Sequence, residues 1–426
     1  MSEDKFTYRK YVWQQFKKNR AALFAFRFIT VMAFIALFAN IIANDKPLYC
    51  KYKDNTYFPA FREYAVDLGL VNWPEDLLNI NWKSETFESV IWAPIPYGST
   101  EFDFMNDRYR SPLADQDVLS TRWHHWLGTD EQGRDVLSGV IHGTQTAFMV
   151  GIVSVSITLL IGVFLGAFAG FYGDHDLQIS RVRFWANFIF LPIAFFYGFQ
   201  VRGFIISDAF AESAVSGFTQ IFISFLLFTL SLTLLNFLLW PFKKIAFLGK
   251  KVNLPLDMLI NRVIEIVVSV PGLILIMAVV AVIAKPSIFV VMILIGLMGW
   301  TGIARFVRAE MLRVKKMEFI DAAKAFGYSD FRTIFKHALP NCLTPVFIAA
   351  AFGIAGAILT ESTLSFLGIG VAPEDVTWGS LLSAGRSNPN AHWLILTPGI
   401  AIFIVVTFFN LIGEGLTDAL DPRQKK

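Results

Sequence analysis

Few residues of this sequence have the types and spacing that catalysis requires. The 426 residues contain no G-x-x-x-x-G-K-[ST] phosphate loop, no H-E-x-x-H zinc motif and no nucleophile elbow. The six histidines are scattered, and Cys50 and Cys342 are too far apart in sequence to suggest a disulfide framework or a metal site. The sequence therefore predicts no catalytic residue, no metal site and no cofactor bound by this chain.

Three charged residues in otherwise apolar segments are the remaining candidates, because a charge is costly there unless it is paired or functional. Arg262 and Glu265 are three residues apart, so they can pair on one helix face, and a structural ion pair is the favoured interpretation. Glu361 could line a transport pathway or close a gate, and a structural role is the favoured alternative.

The most informative stretch is 305–340. Apolar residues recur there at the i, i+3, i+4, i+7 spacing of one helix face, at Phe319, Ala322, Ala323 and Phe326. Gly327 is placed to end this helix, and Ser329 is placed to cap the next one. A second apolar face follows at Phe331, Ile334, Phe335 and Ala338. Pro340 is predicted to close the second helix.

This segment is therefore predicted to form a helix–glycine–helix hairpin that lies parallel to a membrane surface. Its outward faces carry charged side chains, namely Lys315, Lys316, Glu318, Asp321, Lys324, Arg332 and Lys336. Such a hairpin could be held by a soluble partner, or it could only cover the ends of a helix bundle. Periodicity alone favours the second interpretation.

The composition indicates that membrane spans must position these residues. The chain is 55% hydrophobic and only 17% charged, and its mean hydropathy is +0.52. A soluble domain normally carries about 25% charged residues. The formal net charge of +3 does not indicate a nucleic-acid partner.

A helix needs about 20 mostly apolar residues to cross a bilayer. Eight stretches meet this requirement, and they are 21–43, 146–171, 184–207, 218–240, 258–284, 287–307, 341–361 and 393–413. The third stretch contains Pro192 and Arg202, so it could instead be a re-entrant or interfacial helix. Gly162, Gly166 and Gly170 recur every four residues in the second stretch and predict close helix packing.

The distribution of Lys and Arg gives the orientation. Residues 1–20 are basic and are predicted to be cytoplasmic, and the run that follows them is interpreted as a retained span rather than a signal peptide. Segment 44–125 has an acidic excess and is predicted to lie outside, whereas the basic stretch 305–337 is predicted to lie inside. The two termini are then both cytoplasmic.

The remaining domain boundaries follow from these spans. Segment 44–125 is rich in Tyr, Trp and Phe, and it is either a small folded extracytoplasmic lobe or a loop on the membrane surface. Segment 126–173 is predicted to hold a surface helix, opened by a capping box at Thr129 and Gln132, and the second span. Segment 174–253 is an inserted pair of spans, and 254–426 contains the remaining core helices.

The hairpin residues resemble a known motif. Asp321-Ala322-Ala323, then Gly327, then Leu339-Pro340 look like the EAA loop of ABC importer permeases, which docks on the ATPase subunit. Asp321 stands where the family usually has Glu, which keeps the carboxylate. His337 replaces a residue that is often aliphatic, although peptide-type members commonly have His there.

Two further blocks narrow the resemblance to the second permease of dipeptide, oligopeptide and nickel importers. Leu127-Gly128-Thr129-Asp130 with Gly133-Arg134-Asp135-Val136 is similar to the LGTDxxGRDV signature of that subfamily. The blocks 364–368, 378–379 and 418–423 resemble its C-terminal part. The resemblance covers about 126–173 and 254–423, so segments 44–125 and 174–253 fall outside it.

The resemblance implies an all-α membrane protein, a type I ABC importer permease bundle with six core helices and an inserted pair. It implies the bacterial inner membrane, a homologous permease, two ABC ATPase subunits that carry ATP and Mg, and an extracytoplasmic binding protein. The chain itself would not be an enzyme. Short peptides are the expected substrate, with nickel or another non-peptide solute as the alternative. A secondary, ion-coupled transporter is the rival class, but its midplane acids are not evident here.

Overall fold

A computed structural model describes residues 8–420, apart from positions 68, 79, 119, 284–286, 371 and 373–374. The basic residues predicted to be cytoplasmic at the very ends, such as Lys5 and Arg423, lie outside the described residues. The chain divides into two compact units. Unit 1 consists of Met1–Thr158, Leu273–Gly299 and Thr344–Lys426, and unit 2 of Leu159–Gly272 and Trp300–Leu343.

The described residues confirm a helical membrane protein. Seven helices are long and apolar enough to cross a membrane, and a broken pair makes eight if it counts as one span. The seven are Arg20–Leu37, Val136–Tyr172, Arg181–Phe210, Val215–Leu238, Ile288–Val314, Thr344–Phe366 and Trp393–Leu420. They correspond to the predicted stretches, although several are longer.

The fifth predicted span, 258–284, corresponds to a broken pair of helices. It consists of α10, Leu256–Ser269, and α11, Gly272–Val282, with a break at Val270 and Pro271. Proline has no N–H to donate to the helix, and its ring disfavours a helical conformation at the preceding residue, so it separates the two pieces.

Unit 1 is built around long apolar helices. Its described helices include α1 (Tyr8–Phe16), α2 (Arg20–Leu37), α3 (Ala39–Ile42), α4 (Pro59–Asp67), α16 (Thr344–Phe366), α17 (Trp378–Ser387) and α18 (Trp393–Leu420). Helices α2, α16 and α18 share a core that contains Ile29, Ile358 and Val405. Thr377 and Ser380 form a capping box that starts α17.

Segment 44–125 is folded rather than spread as a loop. Strands β1 (Tyr49–Tyr52), β2 (Asn55–Tyr57) and β3 (Ser89–Ile91) form an antiparallel sheet in the order β2-β1-β3. Cys50, Leu77 and Trp82 are buried beside it, with aromatic side chains packed around them. Trp82 and the aromatic residues around it therefore form the core of a small lobe, whereas Phe58 and Phe61 are exposed.

The surface helix predicted after residue 126 does not form. Residues 129–135 make a turn, and α5 (Val136–Tyr172) begins directly after it. Thr129 does not cap a helix: its hydroxyl donates to the carbonyl of Asn106 and accepts from the N–H of Arg110. The carboxylate of Asp130 accepts hydrogen bonds from the N–H groups of Gln132 and Arg134, so this acid stabilises the turn instead.

In unit 2 the inserted segment is a helical hairpin closed at its base. It contains α6 (Arg181–Phe195), a π turn (Phe196–Gln200), α7 (Gly203–Glu212), α8 (Ala214–Leu238) and α9 (Ala246–Gly249). Strands β4 (Gln178–Ser180) and β5 (Lys251–Asn253) pair antiparallel and bring the two ends of the insert together. Arg202 donates to Ser224 at 3.0 Å and to Gln220 at 2.5 Å, which fastens the two long helices to each other.

The glycine stripe of α5 packs against α12 (Ile288–Val314), as predicted. A methyl group added at Gly166 would lie 2.5 Å from the carbonyl oxygen of Ala304, and one at Gly162 would lie 2.7 Å from Ile303 Cβ. No residue with a side chain fits these positions without moving the backbones apart, so the glycines allow the close approach.

Candidate functional site

The predicted hairpin is present in unit 2. Helix α13 (Glu318–Ala325) ends at Gly327, which has φ +75°. The N–H of Tyr328 donates to the carbonyl of Ala323 and the N–H of Gly327 to that of Lys324, which is the Schellman arrangement. The sequence prediction of a glycine C′ residue is confirmed, and the positive φ explains why glycine is favoured there.

The second arm is helical but irregular. Ser329 accepts from the N–H of Arg332 and opens α14 (Asp330–Arg332), as predicted. A π-helical turn (Thr333–Ala338) and α15 (Leu339–Cys342) follow. Pro340 was expected to close this arm, but it lies inside α15, because a proline in the first turn needs no N–H partner.

The burial of the first arm differs from the prediction. Ile320 and Ala323 are the buried residues of α13, whereas Phe319, Ala322 and Phe326 are exposed. The helix has two adjacent apolar stripes, and periodicity cannot tell which of them is covered. In the second arm the prediction holds for Ile334 and Ala338, which are buried, but Phe331 is 66% exposed.

The hairpin therefore presents large apolar side chains on its open face. Phe326 is 79% exposed and Phe331 is 66% exposed. Asp321 is also exposed, in the first turn of α13. Such exposed aromatic residues within a charged surface are typical of an interaction site.

The covered face is attached to α5. The ring of Phe335 lies 5.5 Å from that of Phe164 and 6.0 Å from that of Phe168. Lys315, just before the hairpin, donates to Asp176 at 2.5 Å and to the carbonyl of Phe171, and this contact lowers the pKa of Asp176. These contacts fasten the hairpin to the C-terminal end of α5.

The two arms are also joined to each other. The rings of Tyr328 and His337 stack with centroids 5.5 Å apart, and the guanidinium of Arg332 lies over the Tyr328 ring. His337, the departure noted in the sequence, thus holds the second arm against the turn. Leu339 is half-buried and Pro340 exposed at the end of that arm.

Of the two intramembrane charge predictions, one is confirmed. Arg262 and Glu265 form an exposed ion pair at 2.6 Å. Glu361 is only 1% exposed within the chain, and Ser365 donates to its carboxylate at 2.5 Å. Because this group faces serines of its own helix, the chain by itself gives it a structural environment, and the pathway role stays a prediction.

Sequence reasoning missed two groupings. Arg308 on α12 forms a two-pronged ion pair with Asp257 in the first turn of α10. Asp257 could have been recognised as an acid at a helix start, but its partner is 51 residues away. His125 is likewise fully buried between Asp135, at 2.8 Å, and Asp103, at 3.1 Å.

The His125 cluster organises the start of α5. Burial opposes protonation of this imidazole, but hydrogen bonds to Asp103 and Asp135 outweigh it, so the pKa of His125 is raised. Burial would raise the pKa of Asp103, but hydrogen bonds from His125 and Asn106 lower it to about 2. Asp135 also accepts from the N–H of Ser138 in the first turn of the helix. The imidazole of His125 therefore ties the preceding loop to α5.

The described residues contain no group of three or more metal-ligating side chains that could hold an ion.

Comparison with known families is consistent with this arrangement. The family described as "Binding-protein-dependent transport system inner membrane component" matches residues 245–426, which include the hairpin. The family described as "N-terminal TM domain of oligopeptide transport permease C" matches residues 7–62.

Several curated proteins are similar over most of the chain. The inner membrane ABC transporter permease protein YejE of Escherichia coli is 26% identical, and the alignment covers 97% of this chain and 96% of that protein. The peptidoglycan transport system permease protein YejE of Agrobacterium fabrum is also 26% identical, with 97% and 92% covered. The dipeptide transport system permease protein DppC of Alkalihalophilus pseudofirmus is 30% identical, with 71% and 73% covered.

The N-terminal family match corrects one sequence interpretation. The resemblance was expected over about 126–173 and 254–423, with 44–125 outside it, but the matched residues 7–62 add the first span and the beginning of segment 44–125. The expectation that segment 174–253 falls outside the resemblance stays a prediction.

Proposed function

Since this chain belongs to the family of binding-protein-dependent transport system inner membrane components and is an ABC importer permease, we propose that it forms one half of a translocation pathway together with a homologous permease. Two ABC ATPase subunits bind beneath the pair, and they hydrolyse ATP with Mg. An extracytoplasmic binding protein delivers the solute. The chain lies in the bacterial inner membrane with both termini in the cytoplasm.

One observation carries the docking part of this proposal. The hairpin 305–340 exposes Phe326 and Phe331 on one side and packs Phe335 on α5 on the other. An exposed aromatic face is unfavourable in water unless a partner covers it. A groove on an ATPase subunit is the partner that fits a helix–glycine–helix hairpin in this family.

The same geometry supports a route for the movement. When ATP binding closes the two ATPases, each carries its hairpin with it as a rigid body. The Phe335 contacts and the Lys315–Asp176 pair pass that displacement to the end of α5, and α12 enters the hairpin directly. The spanning helices then reorient and expose the cavity between the two permeases to the outside.

Short peptides are the proposed solutes. The support is the substrate class in the names of similar proteins, which are transport permeases for dipeptides, glutathione and peptidoglycan. Nickel or another non-peptide solute is the alternative, and uptake assays with labelled peptides separate the two.

The first experiment is affinity purification of the tagged chain in mild detergent from its native host, followed by mass spectrometry. Recovery of a second permease and ABC ATPases is the expected result. A chain that reproducibly purifies alone, while a control complex from the same membranes stays intact, would contradict the proposal and favour a secondary transporter.

Variants of the hairpin test the coupling. Asp321→Arg inverts the charge of the open face, and Gly327→Leu places a side chain at φ +75°, which costs about 1–2 kcal/mol and distorts the turn. Both variants should remain in the membrane but lose transport and ATPase recovery. Glu75→Arg, an exposed acid of the lobe, is the matched control and should behave as wild type. Normal uptake in both hairpin variants would remove the docking role.

A further inference from the structure

Unit 1 contains a polar cavity of about 510 Å³ that has no part in the hairpin. Its walls come from chain segments far apart in sequence: residues 43–46 after α3, Glu63 on α4, the turn 98–101, His142 with its neighbours on α5, and Asp375 before α17. Sites for small organic ligands have volumes of roughly 300–1,000 Å³. The cavity is therefore large enough for a solute rather than a single ion.

The charge of the cavity is negative. Four carboxylates line it, those of Asp45, Glu63, Glu101 and Asp375, and Lys46 is the one cationic side chain among the lining residues that the structure describes. Lys46 lies 2.6 Å from Glu63 and 3.2 Å from Asp45. Lys83, beyond the lining, pairs with Glu101 at 2.5 Å. Asp45, Glu63 and Glu101 therefore share two lysines, so these three carboxylates exceed their described cationic partners by one charge.

The neutral lining is also polar. It consists mainly of amide and hydroxyl side chains, from Asn40, Asn44, Ser99, Thr100, Gln145 and Thr146. These groups can both donate and accept hydrogen bonds. The lining suits a small hydrophilic organic molecule that carries a positive charge and amide groups.

We propose that this cavity binds the protonated amino group of the transported solute, with amide groups of the solute on the Asn, Gln and hydroxyl side chains. An ammonium group supplies three donors, and carboxylates are its strongest acceptors. The inference rests on the proposed function and deepens it, because it restricts the solutes to those with a free amino end or another primary amine.

The test is calorimetric titration of the complete purified chain, in lipid nanodiscs and without ATP, with trialanine and with N-acetyl-trialanine. Trialanine should bind saturably, and acetylation should weaken binding tenfold or more, because it removes the charge that the carboxylates recognise. Glu63→Gln and Asp45→Asn should each weaken trialanine binding by about tenfold. Glu88→Gln, a carboxylate of the lobe that pairs with Lys51 outside the cavity, is the control and should have no effect.

Equal affinity for the two peptides, or no saturable binding to the wild-type chain, would overturn the inference. Unfolding temperatures of all variants in the same nanodiscs separate loss of a contact from loss of the fold, and a weakened variant counts only if its unfolding temperature is unchanged. If the peptide-binding test fails but the ATPase subunits are still recovered in the affinity purification, only the cavity assignment is overturned. Loss of subunit recovery bears on the proposed function instead.

Discussion

Replacement of Phe326 by alanine gives the sharpest test of the docking face. This residue is 79% exposed, so its removal should change the free energy of unfolding by no more than about 0.5 kcal/mol. Full burial of a phenylalanine side chain contributes about 1.5–3 kcal/mol. Because roughly a fifth of its surface is already covered, docking would contribute roughly 1–2.5 kcal/mol, or about 5- to 70-fold in affinity.

The assay is binding of the purified ATPase subunits to the permease in nanodiscs, measured by thermophoresis. Phe204→Ala is the matched control, since Phe204 in the inserted hairpin is 83% exposed but belongs to a different surface. Phe326→Ala should weaken binding within the stated range, and Phe204→Ala should not. Equal affinity of both variants and wild type would refute the claim that the exposed face of the hairpin is what the ATPase covers.

Three other predictions concern the framework. His125 should make the free energy of unfolding pH-dependent. Because its pKa is raised in the folded state, its stabilising contribution is complete below about pH 6.5 and is lost as the pH rises through the folded-state pKa. The pKa of Asp103 is lowered to about 2, so the stabilising contribution of this acid disappears as the pH falls from about 4 towards 2. Thermal unfolding across pH should show the alkaline loss in wild type and not in His125→Asn. Gly166→Ala should destabilise the protein by about 1–3 kcal/mol, because the added methyl group meets the Ala304 carbonyl. Gly302→Ala on α12 is the control and should not destabilise the protein, because there is open space around Gly302. Equal melting temperatures of the two variants would contradict the packing argument. Asp257→Asn should cost about 1–3 kcal/mol by weakening the partly buried pair with Arg308, and Glu265→Gln in the exposed pair should cost almost nothing in the same assay.

The helix ends of the hairpin and the apolar spans were predicted correctly from the sequence, because their signals lie within a short stretch of chain. Gly327 ends α13 and Ser329 opens α14, because a helix end is determined by residues within one turn of it. The apolar stretches were recognised because each span must satisfy its backbone internally. The break at Pro271 was also visible in principle, since proline interrupts a helix whatever surrounds it.

Two predictions failed because they needed knowledge of distant contacts, namely the covered face of α13 and the cap at Thr129. Phe319 and Ile320 are equally apolar neighbours on α13, yet only Ile320 is buried. Thr129 has the sequence context of a helix cap, but its hydroxyl is used by Asn106 and Arg110, which lie about 20 residues earlier. Local propensity cannot foresee such a competitor for a hydrogen bond.

The sequence by itself determined the class of this protein: its spans, the hairpin with its glycine turn, and the family motifs. The tertiary structure decided which aromatic residues of the hairpin remain exposed and which helix its covered face packs against. It also decided which residues pair with Asp257 and His125. The physical reason is the range of the interactions. Hydropathy and capping act within a few residues, whereas burial and ion pairing depend on segments that only folding brings together.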